Sequence, residues 1–591
     1  MTENLRQASS LGAVLRGHAR DRADQDAVVF VRDPQTADAD TLSYTRLDRR
    51  AGAIAAALRA RARQGDRVLL LYPQGTECVA AFAACLYAGM PAVVAPMPGS
   101  YQQDRKRVGS IVVDAGVSVV LTDTANLPAV REWIDAGALS GLSVLASDSV
   151  EDGEGGPVPL APADWSTTAM LQYTSGSTSD PKGVEVTHGN LMHDIAAFIE
   201  ALGADEPVRT GGWAPLYHDL GLILQTLAPL AMGSTVVLMS AVTFVKRPVQ
   251  WLKLIDSYDL AFSAAPNFAF ELCTVKVTDE QLAALDLSRW RYALSGAEPV
   301  QVSTMRRFTA RFAAAGLAAD AFGACYGLAE STVFVSGSPG REQVVAELDP
   351  ALLERGQLRR VTGDAPGRPM PSNGAVRDVE ARIVDPDTHA ELPPGSVGEI
   401  WLRGASVARG YWGNPQATAD TFHARTKDGD GPFLRTGDLG GFLDGELYIT
   451  GRRKDLMIIN GRNLHPQDVE HVLRDRHAEL DGLPGAVFTV PAQDGDGLSD
   501  DALIVVQEVR GRPSPDRAQA LARTMRDTVS SEFGVRAAGV LLMRRAGVRR
   551  TTSGKIQRAA MRELFLSGGV EPLFADLDPR FAGLAGRGST A

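Results

Sequence analysis

Short β-branched runs alternate with longer Ala/Leu-rich segments through the first half of the chain. That alternation restricts the possible folds more than any other feature. The runs RVLLLY (67–72), SVVLT (118–122), TVVLM (235–239) and LAFS (260–263) read as strands, with amphipathic helices at 47–62 and 249–257. Units of this kind build largely parallel sheets with helices packed on them. The segment CVAAFAACLYAGMPAVVAP (78–96) carries no charge and approaches the length of a membrane span. Its Ala/Gly content and Pro91 favour instead a buried helix at 80–88, a turn at Gly89 and a strand at 92–95.

The character changes along the chain. GEGGPVPLAPA (153–163) is a Pro/Gly-rich connector. From Asn373 short strands at 379–384, 398–403 and 446–449, punctuated by Gly and Pro, suggest a small β-rich subdomain. Beyond a break at 451–455, helices at 466–476 and 517–532 and strands at 486–490 and 502–508 form a new α+β pattern. The expected fold is therefore α/β. A large N-terminal domain (1–452) has two βα-layered subdomains and the β-rich one, and a small mobile α+β domain (453–591) follows.

A net charge of −11 argues against nucleic acid as a partner, because neutralising phosphates needs a basic face. Four cysteines, none in C-x-x-C spacing, give neither a disulfide framework nor a structural zinc site. With no basic n-region before an apolar core at the start, a reduced cytoplasmic protein without a transmembrane segment is expected.

TSGSTSDPKG (174–183) follows the run AMLQY (169–173). Small hydroxyl and glycine residues let backbone N–H groups wrap an anion, and Lys182 adds a point charge. The segment lacks G-K-[ST], which argues against a Walker-type hydrolase. In order behind it stand WAPLYHDLGL (213–222), LSGAEPV (294–300), GACYGLAEST (323–332), RTGDLG (435–440), GRRKDLMIINGRN (451–463) and TTSGKIQR (551–558).

With these segments in this order, the sequence resembles the adenylate-forming enzymes: acyl-CoA synthetases, luciferases, nonribosomal adenylation domains and fatty acyl-AMP ligases. The resemblance implies ATP and Mg²⁺, and attack of a carboxylate on the α-phosphate. It also implies the roles. Thr174, Ser175, Gly176, Ser177, Thr178 and Lys182 hold the β- and γ-phosphates. Glu330 is a magnesium ligand, with Thr178 on the same ion or its water shell. Tyr326, beside Gly327, packs on the adenine, while Gly296, Ala297 and Glu298 line its other face. Asp438 accepts the ribose diol, and Arg452 reaches ribose or phosphate. Lys555 aligns the acyl carboxylate with the α-phosphate. His218 shapes the wall between acyl pocket and adenylate, because a carboxylate nucleophile needs no base. Lys454 is the hinge.

Within the family, three features resemble fatty acyl-AMP ligases. SAAPNFAFELC (263–273) suggests an acyl pocket with Tyr217, Pro266, Asn267 and Phe268. Residues 336–371 match the position of an insertion that hinders the movement needed for CoA use, or else form a surface loop. GRNLHPQDVE (461–470) matches that branch's pattern. The implied activity converts a medium- or long-chain fatty acid to acyl-adenylate. The acyl group then passes to the phosphopantetheine thiol of an acyl carrier protein, or of a polyketide or nonribosomal synthase, in trans. The alternatives are an acyl-CoA synthetase, an amino-acid-activating enzyme and an inactive binding homologue.

Overall fold

A computed structural model describes the chain except residues 1, 35, 37, 100, 101, 138, 140, 153–157, 174–180, 205, 364, 460, 461, 492–500, 552, 553, 583 and 585–591. Two large sheets organise the first 412 residues. The seven-stranded sheet has five parallel strands in the order Thr168–Tyr173, Ala92–Ala95, Arg67–Leu71, Val117–Thr122 and Ser143–Ala146. Antiparallel strands Gly183–Thr187 and Gly410–Tyr411 extend its edge. The nine-stranded sheet has a parallel centre running from Asp26–Asp33 through Val236–Met239, Thr210–Gly212, Phe262–Ala265 and Tyr292–Ser295 to Phe322–Tyr326.

Helices Tyr44–Arg59, Thr76–Ala88 and His188–Leu202 fill the space between the two sheets, and together they form the largest core. The charge-free segment behaves as the sequence predicts. It forms the helix Thr76–Ala88, buried all round from Cys78 onward, then a left-handed Gly89 and the strand Ala92–Ala95. A helix that is apolar on every side belongs between layers. No described helix is long and apolar enough to cross a membrane. All four cysteines are buried and unpaired.

The outer face of the nine-stranded sheet carries Val249–Ser257, Asn267–Lys276 and Val302–Phe312 over an aromatic cluster. Trp251 is fully buried there, with its indole N–H on Ser263 Oγ at 2.9 Å. The strand expected at 260–263 lies two residues later, at Phe262–Ala265.

The small β-rich unit is an antiparallel sheet of Val379–Val384, Gly398–Gly404, Leu434–Leu443 and Glu446–Arg452. Residues 336–371 are not a bare surface loop. Val345–Leu348 pairs with Arg368–Pro371 around the helix Pro350–Glu354, and Ala346, Leu348, Leu358 and Met370 pack on Tyr448. After Arg452 the chain makes a 3₁₀ turn (Arg453–Asp455), a hairpin, and a four-stranded sheet flanked by Pro466–Arg476, Pro515–Phe533 and Arg558–Leu566. This later part meets the earlier one through Arg368 with Asp468, Arg462 with Glu354 at 3.6 Å, and Ser303 with His471 at 3.1 Å.

Truncating Trp251 to Ala removes a large packed side chain and the indole N–H that Ser263 Oγ accepts, while Ser263 keeps its bond to the Gly211 carbonyl. We expect a loss of about 3–5 kcal/mol in unfolding free energy, read from urea denaturation.

Candidate active site

The two parts of the chain enclose a cleft of about 2390 Å³. It opens at the carboxyl ends of parallel strands, where ligands bind in open α/β sheets. Residues 174–180, with the phosphate-cradle positions Thr174, Ser175, Gly176, Ser177 and Thr178, lie outside the described residues. Their flanks are described. Tyr173 and Pro181 line the cleft, and the Lys182 ammonium sits 4.8 Å from the centre of the Tyr411 ring. Tyr411 in turn donates its hydroxyl to Glu330 Oε1 at 2.9 Å.

The loop that presents Glu330 is tightly built. Gly327 allows a close backbone approach, since a Cβ there would lie 1.5 Å from the Val333 carbonyl oxygen. Thr332 is the centre of a γ-turn (φ 66°, ψ −67°), closed by Val333 N–H on the Ser331 carbonyl at 2.8 Å. That conformation is strained, the more so for a β-branched residue. It is held by Thr332 Oγ1 donating to the Ser406 carbonyl at 2.7 Å, and by buried Asp194, which accepts the Phe334 N–H at 2.9 Å. Burial pushes the Asp194 carboxyl well above the usual range.

Asp438 lies inside the strand Leu434–Leu443 and is buried. Its position is fixed by Thr436, which accepts the Asp438 N–H at 3.0 Å and donates to the Ile400 carbonyl at 2.7 Å. Tyr326 donates its hydroxyl to Asp438 Oδ2 at 2.9 Å, and Arg452 Nε meets Oδ1 at 3.0 Å. Tyr326 is thus both nearly buried and part of the cleft wall. Each Asp438 oxygen keeps a further acceptor position for a ligand hydroxyl. Asp438 also holds the Arg452 guanidinium more firmly protonated than usual.

His218 Nδ1 lies 2.6 Å from Asp219 Oδ1, and the Leu220 N–H donates to the same oxygen at 2.7 Å. Burial alone would raise the Asp219 carboxyl. His218, Lys555 and the Leu220 N–H together bring it down to about 2. Asp219 caps the π-helical stretch Leu220–Leu227.

Lys555 comes from the C-terminal part. Its turn is closed by Thr551 N–H on the Lys555 carbonyl at 2.7 Å and by Lys555 N–H on Thr551 Oγ1 at 3.1 Å. Gly554 (φ +89°) faces Phe268, and a Cβ there would lie 3.0 Å from that ring. Burial lowers the affinity of the Lys555 ammonium for its proton; Asp219 opposes this, and Glu298 and Asp438 also oppose it. Lys454, in the 3₁₀ turn Arg453–Asp455, borders the same cleft, and burial together with Arg452 lowers its proton affinity.

The structure therefore gathers Tyr217, His218, Phe268, Ala297, Glu298, Tyr326, Gly327, Glu330, Asp438, Arg452, Lys454 and Lys555 on one cleft. Four positions behave otherwise, one of them Lys182, which sits over the Tyr411 ring and does not itself line the cleft. Pro266 caps the helix Asn267–Lys276 and does not line the cleft. Gly296 also lies off the cleft, packed where a Cβ would meet Cys325 Sγ at 2.6 Å. Asn267 borders the cleft, but its amide is engaged by the Gln301 N–H and by Thr304. Glu298 accepts the Phe268 N–H at 2.7 Å, and burial raises its carboxyl. In SAAPNFAFELC and the aromatics before it, Phe244, Trp251, Phe270 and Cys273 are plain core. Tyr411, Thr436 and Asp219 escaped the sequence reading as site residues. Of these, only Thr436 and Asp219 stand inside quoted motifs.

The site has donors for phosphate, a carboxylate pair of acceptors for a diol, and the Lys555 cation supplied by the C-terminal part. Among the described residues no three His, Cys, Asp or Glu side chains cluster as a metal cage. Glu330 alone suits a hard cation held mainly by phosphate oxygens, as Mg²⁺ commonly is.

The profile of the AMP-binding enzyme family matches residues 15–412, more than half of the chain. The chain is 38% identical over 551 residues to the medium-chain fatty acid–acyl-carrier-protein ligase JamA of Moorena producens, covering 90% of this chain and 91% of that protein. It is 36% identical over 584 residues to the long-chain fatty acid–AMP ligase FadD26 of Mycobacterium marinum, covering 95% and 98%. A solved fatty acyl-adenylate ligase from L. pneumophila, in complex with acyl adenylate and pyrophosphate, superposes with a TM-score of 0.74 at 33% identity, covering 97% and 99%. The chain belongs to the AMP-binding enzyme family, and over nearly its whole length it is similar to that family's fatty acyl-AMP ligases.

Proposed function

We propose that this ATP-dependent acid ligase joins a medium- or long-chain fatty acid to AMP, then passes the acyl group to the phosphopantetheine thiol of a carrier protein in trans. The observation that carries the reading is the convergence of Lys555 with Asp219, Glu298, Asp438 and Arg452 on one cleft. In the first step a carboxylate oxygen attacks the α-phosphorus of ATP, and the electron pair of the broken P–O bond leaves with pyrophosphate. Nucleophile and electrophile both carry negative charge. Lys555 offsets their repulsion and aligns them, acting where its own ammonium is buried. Asp438 and Arg452 fix the ribose and phosphate, Tyr326 and Ala297 border the adenine, and Lys182 serves the outgoing phosphates. Mg²⁺, held by Glu330 and assisted by Thr178, would supply charge neutralisation at the phosphate oxygens.

The carbonyl carbon of the acyl-adenylate then takes the carrier's thiolate, and AMP departs. Residues 1–452 and 453–591 act as two domains that turn about Lys454 between the steps, in a cytoplasmic enzyme. The likeness to a medium-chain fatty acid–acyl-carrier-protein ligase supports a carrier thiol over free CoA, and Arg368 and Glu354 join residues 336–371 to the element that has to move. An amino acid is a poorer substrate: the position that would pair its ammonium group carries His218, and Asp219 already answers the His218 and Lys555 charges.

Two outcomes check this reading. Given a panel of acids with free CoA and a holo carrier protein competing, the enzyme should yield acyl-carrier product by mass spectrometry; efficient acyl-CoA formation would contradict the carrier assignment. Lys555→Ala should slow pyrophosphate release about 10²–10³-fold. Because Lys555 must be protonated and binds its proton less tightly than an ordinary lysine, the wild-type rate should fall as pH rises past a value below the ordinary lysine pKa. Near-normal release by the variant would remove Lys555 from this role.

A further inference from the structure

The helix Asn267–Lys276 starts at the cleft, and its second residue, Phe268, is held through both backbone and ring. The Phe268 N–H donates to Glu298 Oε1 at 2.7 Å. Asn267, just before it, accepts the Gln301 N–H at 3.0 Å and donates to Thr304 Oγ1 at 3.3 Å, which pins the helix start. The Phe268 ring meets Trp213 edge-on, 5.9 Å between centroids, and buried Trp213 lies flat on buried Phe244 at 4.2 Å. An aromatic side chain turns about two torsions only, so such neighbours fix it at small entropic cost.

The same ring meets the C-terminal part. A Cβ at Gly554 would stand 3.0 and 3.2 Å from two of its carbons. Position 554 is thus restricted to glycine twice over, by its left-handed backbone (φ +89°) and by the ring. Lys555 follows directly. Glu298, which holds the Phe268 backbone, is also among the carboxylates that favour the Lys555 charge. Other ties across this interface are looser. Arg307 with Asp481 at 3.5 Å is a half-exposed pair of flexible side chains, and such pairs contribute little. A packed ring against the backbone of a glycine leaves far less slack.

We propose that Phe268 is a positioning residue for Lys555: its ring is the stop against which Gly554 seats, and this sets where the lysine meets the acyl carboxylate and the α-phosphate. The inference rests on the adenylation reading. The C-terminal part brings its cation to a site built by the rest of the chain, so the point of contact has to define the approach. A misplacement of about 1 Å in such an alignment costs on the order of 10²-fold in rate. Leu272, one turn along the same helix face, also lines the cleft. A wall for the acyl chain is therefore the rival role for Phe268.

Fatty acid-dependent ATP–pyrophosphate exchange, measured as a double-mutant cycle, separates the two. Phe268→Ala should lower kcat about tenfold to 10²-fold, with the KM for the fatty acid unchanged, and Phe268→Leu should recover part of the loss. In a Lys555→Ala background Phe268→Ala should cost nothing further, because a residue that acts through Lys555 then has nothing to position. An equal fold-loss in both backgrounds overturns the inference. So does an unaltered kcat, and so does a change confined to the KM for the acid, which would make Phe268 an acyl wall. If Phe268→Ala does not fold, Phe268→Leu decides in the same two backgrounds: a loss that vanishes without Lys555 supports the inference, and an equal loss or none overturns it. Wild-type protein that exchanges with no acid contradicts the adenylation reading itself, whereas acid-dependent wild-type exchange with equal losses in the two backgrounds contradicts only the role of Phe268.

Discussion

The Lys555 ammonium is the group on which the site depends. It sits where burial disfavours its charge, and the carboxylates of Asp219, Glu298 and Asp438 keep that charge tolerable. Asp219 in turn owes its low proton affinity to His218, Lys555 and the Leu220 N–H. These charges therefore answer one another, and the set comes from segments far apart in the chain. Lys555 arrives on a turn of the C-terminal part, held against Phe268 by a glycine whose missing side chain allows the approach. An acyl carboxylate and a phosphate entering this cleft bring negative charge to a cation already in place, which favours a step that brings two anions together.

The scaffold supplies rigidity close to that chemistry. Strain at Thr332 persists because Ser406, Asp194 and the close contact of Gly327 with Val333 over-determine the loop. Thr436 does the same for Asp438 by bonding both its backbone N–H and the neighbouring strand. The large core beneath these loops is ordinary close packing between two sheets, so sites at the strand ends inherit fixed positions from it.

Much of this was legible in the sequence. The alternating runs marked the parallel strands, because fully buried strands leave continuous apolar stretches. The helix Thr76–Ala88 could be told from a membrane span by its small residues and by Gly89. Glu330, Asp438, Arg452 and Lys555 stood out because each lies in a quoted segment, and the segments come in a fixed order. Other features were invisible for physical reasons. The edge strand Asp38–Ser43 is polar and carries no period-2 signal. Tyr411 meets Glu330 only through pairing of Gly410–Tyr411 with Gly183–Thr187. The role of Asn267 depends on the return of residues 301–304, and no local pattern shows it.

The central claim is that a fatty acid carboxylate oxygen attacks the α-phosphorus of ATP. Fatty acid labelled with ¹⁸O in its carboxylate, turned over with ATP and a holo carrier protein, tests it directly by mass spectrometry of the released nucleotide. The account predicts AMP carrying one ¹⁸O atom, because the bridging oxygen stays on phosphorus when the thiolate takes the acyl carbon. Unlabelled AMP, or ADP with label in inorganic phosphate, would contradict it.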